Sequence, residues 1–431
     1  MRNRGTRKMT EPAPGHAASE PKNGKQPRLC MVVFSYYPAD PRVRREAEAL
    51  VEAGMAVDVV CLKGKDQPWT ETVRGVGVCR LPIERRRRGK IRYLWEYASF
   101  VLLSCLVVAV LHLRKWYRAV HVHNMPDVLV FSALVPRLLG KKVILDLHDP
   151  MPEVFMAKYG MSETSRGIRL LRFLERLSIG FAHLVLTPNI TFRNLFVSRG
   201  CPPGKIHVIM NSPQESVFLR ERKEPPVEPA ETAKPFTIMF HGTIVERHGL
   251  DTALEALTDL KDILPNLRFQ VFGEGDFVEK FLSLVKEKGL EDVVHYHGFV
   301  PLETISEAIP DIDLGLIPNK RSPFTEINMP TRIFEYLSLE KPVIAPRTRG
   351  ILDYFNEDSL FFFEPGNAQS LRETILLVYS DPVKRHEVLE RGRKIYLKHR
   401  WESERTRLVG LVRSLLGLES SPPQPRPEEK R

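Results

Sequence analysis

The sequence predicts an α/β protein of two Rossmann-like, doubly wound parallel-sheet domains facing each other across a cleft. Three observations predict it. Short apolar runs alternate with segments whose apolar residues recur at helical spacing, the pattern of βα units. That alternation breaks at the charged, proline-rich stretch RERKEPPVEPAETAK (220–234) and then restarts. The length, 431 residues, corresponds to two or three domains of roughly 100–200 residues, each long enough to bury a core.

Residues 1–27 are polar, basic and lack the apolar run of a signal peptide, so a disordered basic tail is expected. Strands follow at 29–35, 56–61, 119–123, 142–147 and 182–187, runs suited to strands buried on both faces. Helices are expected at 42–53, 126–139 and 190–199, the last two ended by Gly140 and Gly200. Beyond the linker, strands at 236–240, 268–272, 293–297, 312–317 and 343–345 alternate with helices at 250–260, 277–288, 305–309 and 331–339. The expected division is a first domain over 28–218, a linker over 219–235, a second domain over 236–395, a helix over 396–418 and a disordered end over 419–431.

Composition excludes several classes. With 43% apolar and 27% charged residues, the chain is neither fibrous nor wholly disordered. Cys30, Cys61, Cys79, Cys105 and Cys201 are odd in number, widely spaced and without a C-x-x-C, which fits free thiols in a reducing cytosol. Residues 1–28 hold Arg2, Arg4, Arg7, Lys8, Lys22, Lys25 and Arg28 against Glu11 and Glu20. Residues 80–92 hold Arg80, Arg85, Arg86, Arg87, Arg88, Lys90 and Arg92 against Glu84. These two segments carry the whole formal charge of +11, so no broad basic face remains and no nucleic-acid partner is expected.

Residues 97–113 contain no Lys, Arg, Asp or Glu and directly follow the arginine-rich loop. One reading is a buried helix of the first domain. Another is an interfacial helix, with Arg85, Arg86, Arg87 and Arg88 on the phosphates of an anionic membrane surface. A spanning helix is disfavoured, because it would separate strands that belong to one sheet.

The residues that carry chemistry cluster after strands. In INMPTRIFEYL (327–337), Pro330 suits the first helical position, and the free N–H groups of that turn form an anion site. Arg332 in the first turn opposes the helix dipole unless a phosphate sits there, and Glu335 could accept hydrogen bonds from ribose hydroxyls. An exposed Arg–Glu pair on an ordinary helix explains the same pattern. FHGTIVERHG (240–249) is a strand, a glycine turn and a helix start. Gly242 allows close approach of an anion, and Arg247 adds a forked cation. Gly273-Glu274-Gly275 repeats the turn more weakly. In the first domain LDLHD (145–149) places His148 at a carboxyl strand edge, with Asp149 as its expected partner. His121 and His123 share a strand face, but no third ligand is evident and no metal site is expected. Asp311-Ile312-Asp313 reads as turn chemistry.

These motifs together resemble the family-4 retaining glycosyltransferases of GT-B fold, over about 29–417. The marks are YYPADPRVRREAEAL (36–50), HVHNMPDVLVFSALVPRLLG (121–140), LDLHDPMPEVF (145–155), HGTIVERHGLD (241–251), HGFVP (297–301) and NMPTRIFEYLSLEKPVIA (328–345). The resemblance implies that the second domain binds a nucleotide sugar. Gly242, Thr243, Arg247, His248, Gly273, Met329, Pro330, Thr331 and Arg332 would surround the diphosphate, Glu335 the ribose, and Phe299 and Val300 the base. His148 would contact the transferred sugar, with Arg247 and Glu326 completing the catalytic set. Asp40, Arg42, His123 and Asp149 would face the acceptor in the first domain, and 401–416 would cross back to that domain.

Three departures stand out. His248 replaces a usual lysine. Glu335 would pair with Ile327 in a Glu-x7-Glu, leaving Glu326, one residue away, as the candidate replacement. Tyr37-Pro38-Ala39-Asp40-Pro41-Arg42 replaces a Gly-Gly loop. The expected activity is transfer of a hexosyl or N-acetylhexosaminyl unit from a UDP- or GDP-sugar, without a metal or other cofactor. The expected acceptor is a lipid-linked or polysaccharide glycan, and the expected place the cytoplasm, peripherally on the inner face of the membrane. The rivals are a nucleotide-sugar epimerase of the same shape and a non-catalytic scaffold.

Overall fold

The computed structural model describes residues 26–83, 90–218, 235–264 and 266–418, without the side chains of 90–94. Strands β1 (Arg28–Tyr36), β2 (Ala56–Leu62), β3 (Thr70–Val73), β4 (Val76–Leu81), β5 (Ala119–His123), β6 (Lys142–Asp146), β7 (Leu184–Thr187) and β8 (Ile206–Val208) form one sheet. Its order is β3-β4-β2-β1-β5-β6-β7-β8, parallel except between β3 and β4. Strands β9 (Thr237–His241), β10 (Arg268–Phe272), β11 (Val294–Gly298), β12 (Leu314–Leu316), β13 (Val343–Pro346) and β14 (Phe361–Phe363) form a second, parallel sheet. Its order is β11-β10-β9-β12-β13-β14.

Both sheets reverse their winding once, at β1/β5 and at β9/β12. Beyond the carboxyl ends of strands at such a reversal, the connecting helices diverge to opposite faces and leave a crevice. The segments after β1, β5 and β6 carry Asp40, Arg42, His148 and Asp149, and those after β9, β10 and β12 carry Gly242, Arg247, Gly273 and Thr331. The topology thus brings the candidate residues of each half to one edge.

Of the helices, α1 (Pro41–Glu52), α2 (Lys90–Lys115) and α3 (Arg166–Phe181) belong to the first domain, and α4 (Arg332–Ser338) and α5 (Pro382–Lys398) to the second. The last helix, α6 (Trp401–Leu415), returns to the first domain. There Trp401, Leu408 and Val412 are buried with Leu29, Met31 and Val43, and Arg405 pairs with Glu52 of α1 at 2.8 Å.

Local structure departs from expectation where tertiary packing decides. Segment 126–139 is a 3-10 turn over Asp127–Ala133 followed by a short α-helix, Leu134–Leu138, in place of one helix. Pro136, which lacks an N–H, sits in the first turn of that helix, where no bond is lost. The β3–β4 hairpin was not expected, because TETV shows no apolar run. Arg85–Arg88, the linker at 219–234 and the tails at 1–25 and 419–431 lie outside the described residues.

Helix α2 is longer than its charge-free core. Tyr97, Phe100, Ser104, Val108 and His112, spaced three or four apart, are buried on the sheet, with Phe34 of β1 edge-to-face against Tyr97 and Phe100 at 4.8 and 5.0 Å. The opposite face exposes Trp95, Leu102, Leu106, Val110 and Leu113. The helix is long and apolar enough to cross a membrane. Its packed face, however, ties it to the first domain.

Candidate functional site

Two cavities lie between the domains. The larger, about 680 Å³, is lined by Pro38, Ala39 and Arg44 of the first domain and by Gly242, Thr243, Gly273, Phe299 and Val300 of the second. This volume is of the size that holds small-molecule ligands. The smaller, about 150 Å³, is lined by Arg44, Arg45, Thr331 and Glu335, among others. Phe299 is 72% exposed, leaving its ring free to meet a planar group.

The loops after β9 and β10 stack backbone on backbone. The Gly242 N–H donates to the Phe272 carbonyl at 3.0 Å, and the Ile244 N–H to the Glu274 carbonyl at 2.9 Å. Gly273 has φ +136°, and a Cβ there would overlap the Gly242 carbonyl. The glycines therefore serve close backbone approach first.

Arg247 stands on the 3-10 turn Glu246–His248. Its Nε is buried without a hydrogen-bond partner, and its guanidinium lies 5.9 Å over the ring of Phe324. Burial lowers its pKa, against the pull of Asp149 across the cleft and Asp276. A desolvated guanidinium with an unmet donor is a site for an anion.

Four neighbouring candidates, two of them cationic, are engaged differently from what the sequence predicts. Burial, with Arg332 and Arg247 adding, pushes His248 down to about 3, so the ring is neutral and its Nδ1 donates to the Thr243 carbonyl at 2.6 Å. It closes the loop and supplies no charge. Arg332 donates to the His241 carbonyl at 2.7 Å and lies 4.7 Å over the Phe240 ring, so it underpins the Gly242 turn from below. Helix α4 begins at Arg332 with Thr331 as its cap, so Pro330 precedes the cap and is not the first helical residue. The Met329 side chain is buried in the second-domain core with Ile333 and Phe334, where it serves packing.

Glu335 lies 3.3 Å from His241 Nε2. Burial pushes its pKa up to about 7, against Arg332 and Arg45. Glu326, the candidate replacement for the missing acidic residue, is engaged by its own domain. Its carboxylate takes Arg321 at 2.6 Å and the Arg349 N–H at 3.2 Å. Ile327 is buried in the first-domain core cluster along with Phe324, which fixes this segment as an interdomain contact.

In the first domain the expected acceptor residues form a buried network. Arg42 donates to both oxygens of Asp146 at 2.7 and 2.8 Å, to the Ile209 carbonyl at 2.9 Å and to Asn211 Oδ1 at 2.7 Å, and it pairs with Glu46 at 3.1 Å. It pins α1 to β6, with four of its five N–H donors committed to protein partners. Asp40 caps α1, accepting from the Val43 N–H at 3.3 Å. The partner of His148 is Asp146, at 3.1 Å, and not Asp149; His123 Nδ1 lies 3.0 Å from the same His148 nitrogen. Burial lowers the His148 pKa, but Asp146 outweighs it and the net shift is upward. Burial keeps His123 neutral, with its pKa lowered. Asp149 is raised by burial, against His148 and Arg247, and its carbonyl takes Asn124 Nδ2 at 2.8 Å.

The premise that His121 and His123 have no further ligands is overturned. The fold brings Glu46 and Asp146 to them, and ligand atoms of all four lie within 4.8 Å of one another. Arg42 bridges the same two carboxylates, so a metal ion there would have to displace a guanidinium. Sequence reasoning missed this network. The signal was available, since Asp146 ends an apolar strand and a buried carboxylate requires a partner.

Comparison with known proteins follows the same division. Residues 39–212 match the family described as "Glycosyl transferase 4-like domain", and residues 221–395 match "Glycosyl transferases group 1". The sulfoquinovosyl transferase SQD2 of Arabidopsis thaliana is 24% identical over 66% of this chain and 54% of its own length. A putative colanic acid biosynthesis glycosyltransferase, WcaL of Escherichia coli K12, is 26% identical over 39% of this chain and 40% of its own. The chain thus spans about half the length, or less, of these curated relatives. Anabaena HepE, solved in complex with UDP, superposes with a TM-score of 0.67 at 16% identity, covering 90% of this chain and 100% of that one. This likeness establishes the fold.

Proposed function

The chain belongs to the family-4 glycosyltransferases of GT-B fold, and from that premise we propose that it transfers a sugar, with retention, from a nucleoside-diphosphate sugar to a hydroxyl acceptor. The observation that carries this reading is Arg247, a half-buried arginine with an unpartnered Nε beside the glycine loops at a sheet reversal. Departure of the diphosphate builds negative charge, and a guanidinium already desolvated in place stabilises it without reorganisation. Glu335 would take the ribose hydroxyls, Phe299 and Val300 the base, and His148, held by Asp146, the transferred sugar. Fixing the acceptor hydroxyl beside the anomeric carbon supplies a further share of the rate.

The donor is read as a UDP- or GDP-sugar carrying a hexosyl or N-acetylhexosaminyl unit. UDP in HepE supports the class of ligand, and Arg42 between the candidate metal carboxylates supports a metal-independent reaction. The relative named for colanic acid biosynthesis supports a polysaccharide or lipid-linked acceptor. A membrane-peripheral location is supported by the exposed face of α2 and by exposed Leu170, Phe173 and Leu177 on α3. Flotation with anionic liposomes at low salt tests the location; protein left at the bottom of the gradient refutes it. Activity is tested with labelled UDP- and GDP-sugars and a membrane extract as acceptor. Transfer that survives Arg247→Ala unchanged would sink the site assignment, and isomerisation of the donor without an acceptor would make the protein an epimerase.

A further inference from the structure

Helix α1 carries three arginines within four positions, and the fold uses them differently. Arg42 is bound by Asp146, Glu46, Asn211 and a carbonyl. Arg45 donates to the Ser212 carbonyl at 3.0 Å and to Asn211 Oδ1, and lies 5.1 Å over the Trp401 ring. Arg44 has no such commitment. Its Nε is buried without a hydrogen-bond partner, and no carboxylate among the described residues pairs with it. It lines both interdomain cavities, the larger with Gly242, Gly273 and Phe299 and the smaller with Thr331 and Glu335.

In the larger cavity Arg44 faces Gly242, Thr243 and Gly273, the loops read as surrounding the diphosphate, and in the smaller it stands with Thr331 of the same set. A forked donor in that place meets the diphosphate of a bound nucleotide. We propose that Arg44 is a donor-binding residue supplied by the first domain, donating to non-bridging diphosphate oxygens. The inference rests on the nucleotide reading given above. It makes donor binding depend on both domains at once. Arginine suits the task, since its planar fork engages two oxygens and stays charged when desolvated.

The test is calorimetric titration of the full chain with UDP and GDP, and with uridine and guanosine, for wild type, Arg44→Ala, Arg44→Lys and Arg247→Ala. Arg44→Ala should weaken binding of the preferred diphosphate about ten- to one-hundredfold, as expected for loss of a charge-assisted bond. Binding of the matching nucleoside should stay within about twofold, and Arg44→Lys should fall between. Arg44 makes no protein hydrogen bond through Nε, so the variants should keep the wild-type melting temperature. Diphosphate binding by Arg44→Ala within twofold of wild type, with Arg247→Ala impaired, would overturn this inference and leave the nucleotide reading standing. Equal losses for diphosphate and nucleoside would also overturn it. A wild-type chain that binds neither UDP nor GDP would remove the nucleotide reading itself.

Discussion

The charged residues of the two sheet edges are alike in the sequence and opposite in the structure. At the first-domain edge Arg42 and Asp146 are buried in a doubly hydrogen-bonded pair, with His123 and His148 on the same carboxylate and Glu46 beside the guanidinium. At the second-domain edge Arg247 is partly desolvated with its Nε lacking any hydrogen-bond partner, and His248 and Arg332 beside it hold the loop in shape. A buried charge with its counter-charge is architecture, whereas one without is a request for a ligand.

The largest expected effect separates the two edges by stability. Arg42→Ala leaves Asp146 buried without its cation and should destabilise the first domain by about 3–5 kcal/mol. Arg247→Ala should stay within about 0.5 kcal/mol of wild type. Chemical unfolding followed by tryptophan fluorescence reads both, and similar losses for the two variants would break the contrast.

The reverse ordering is expected in function. Arg247→Ala should lower kcat/KM about 100- to 1,000-fold, as for removal of a preorganised donor at developing charge. Initial rates with the nucleotide sugar measure it, and a loss under fivefold would place the leaving-group site elsewhere.

The loop stack is next in size. Gly273→Ala adds a Cβ at φ +136° against the Gly242 carbonyl, so the two loops must part. It should cost about 1–3 kcal/mol or more and weaken nucleotide binding as well. Gly140→Ala, at φ +75° but with open space around it, provides the comparison for backbone strain alone.

The smallest effect is a pH dependence. The pKa of Glu335 rises from an ordinary 4.5 to about 7 in the fold, through burial, while His241, Arg332, Arg45 and Tyr336 stand around it. The folded protein therefore keeps a proton that the unfolded chain has released. The stability linked to this group is full below pH 4.5 and declines as pH rises to about 7. Ribose hydroxyls donate to the ionised form, so nucleoside binding should strengthen as pH rises through about 7. A nucleoside titration from pH 6 to 8 avoids the ionisation of phosphate, and Glu335→Gln should flatten the profile.

Much of this architecture was legible in the sequence. Buried strands such as β1, β5 and β6 announce themselves as apolar runs, and the break at 220–234 marks the passage between halves. The hairpin of β3 and β4 did not show, because its edge strand β3 is mostly exposed and needs no apolar pattern. Motif membership was also legible, but the duty of each side chain was not. Met329, Arg332 and His248 sit in the nucleotide motifs yet serve packing and loop closure. Arg42 and Arg44 are two positions apart on one helix, yet Arg42 is bound by Asp146, a hundred residues away in sequence, while Arg44 lines the interdomain cavities. Local spacing carries no information about such partners.

The most direct test of the central claim is a thermal-shift screen of wild type and Arg247→Ala with UDP, GDP, CDP and ADP, each with and without EDTA. The account predicts stabilisation of wild type by one nucleotide, unchanged by EDTA and lost in Arg247→Ala; a ligand at 100 times its Kd adds about 2.7 kcal/mol. No shift with any nucleotide, or a shift abolished by EDTA, would contradict a metal-free diphosphate site at Arg247.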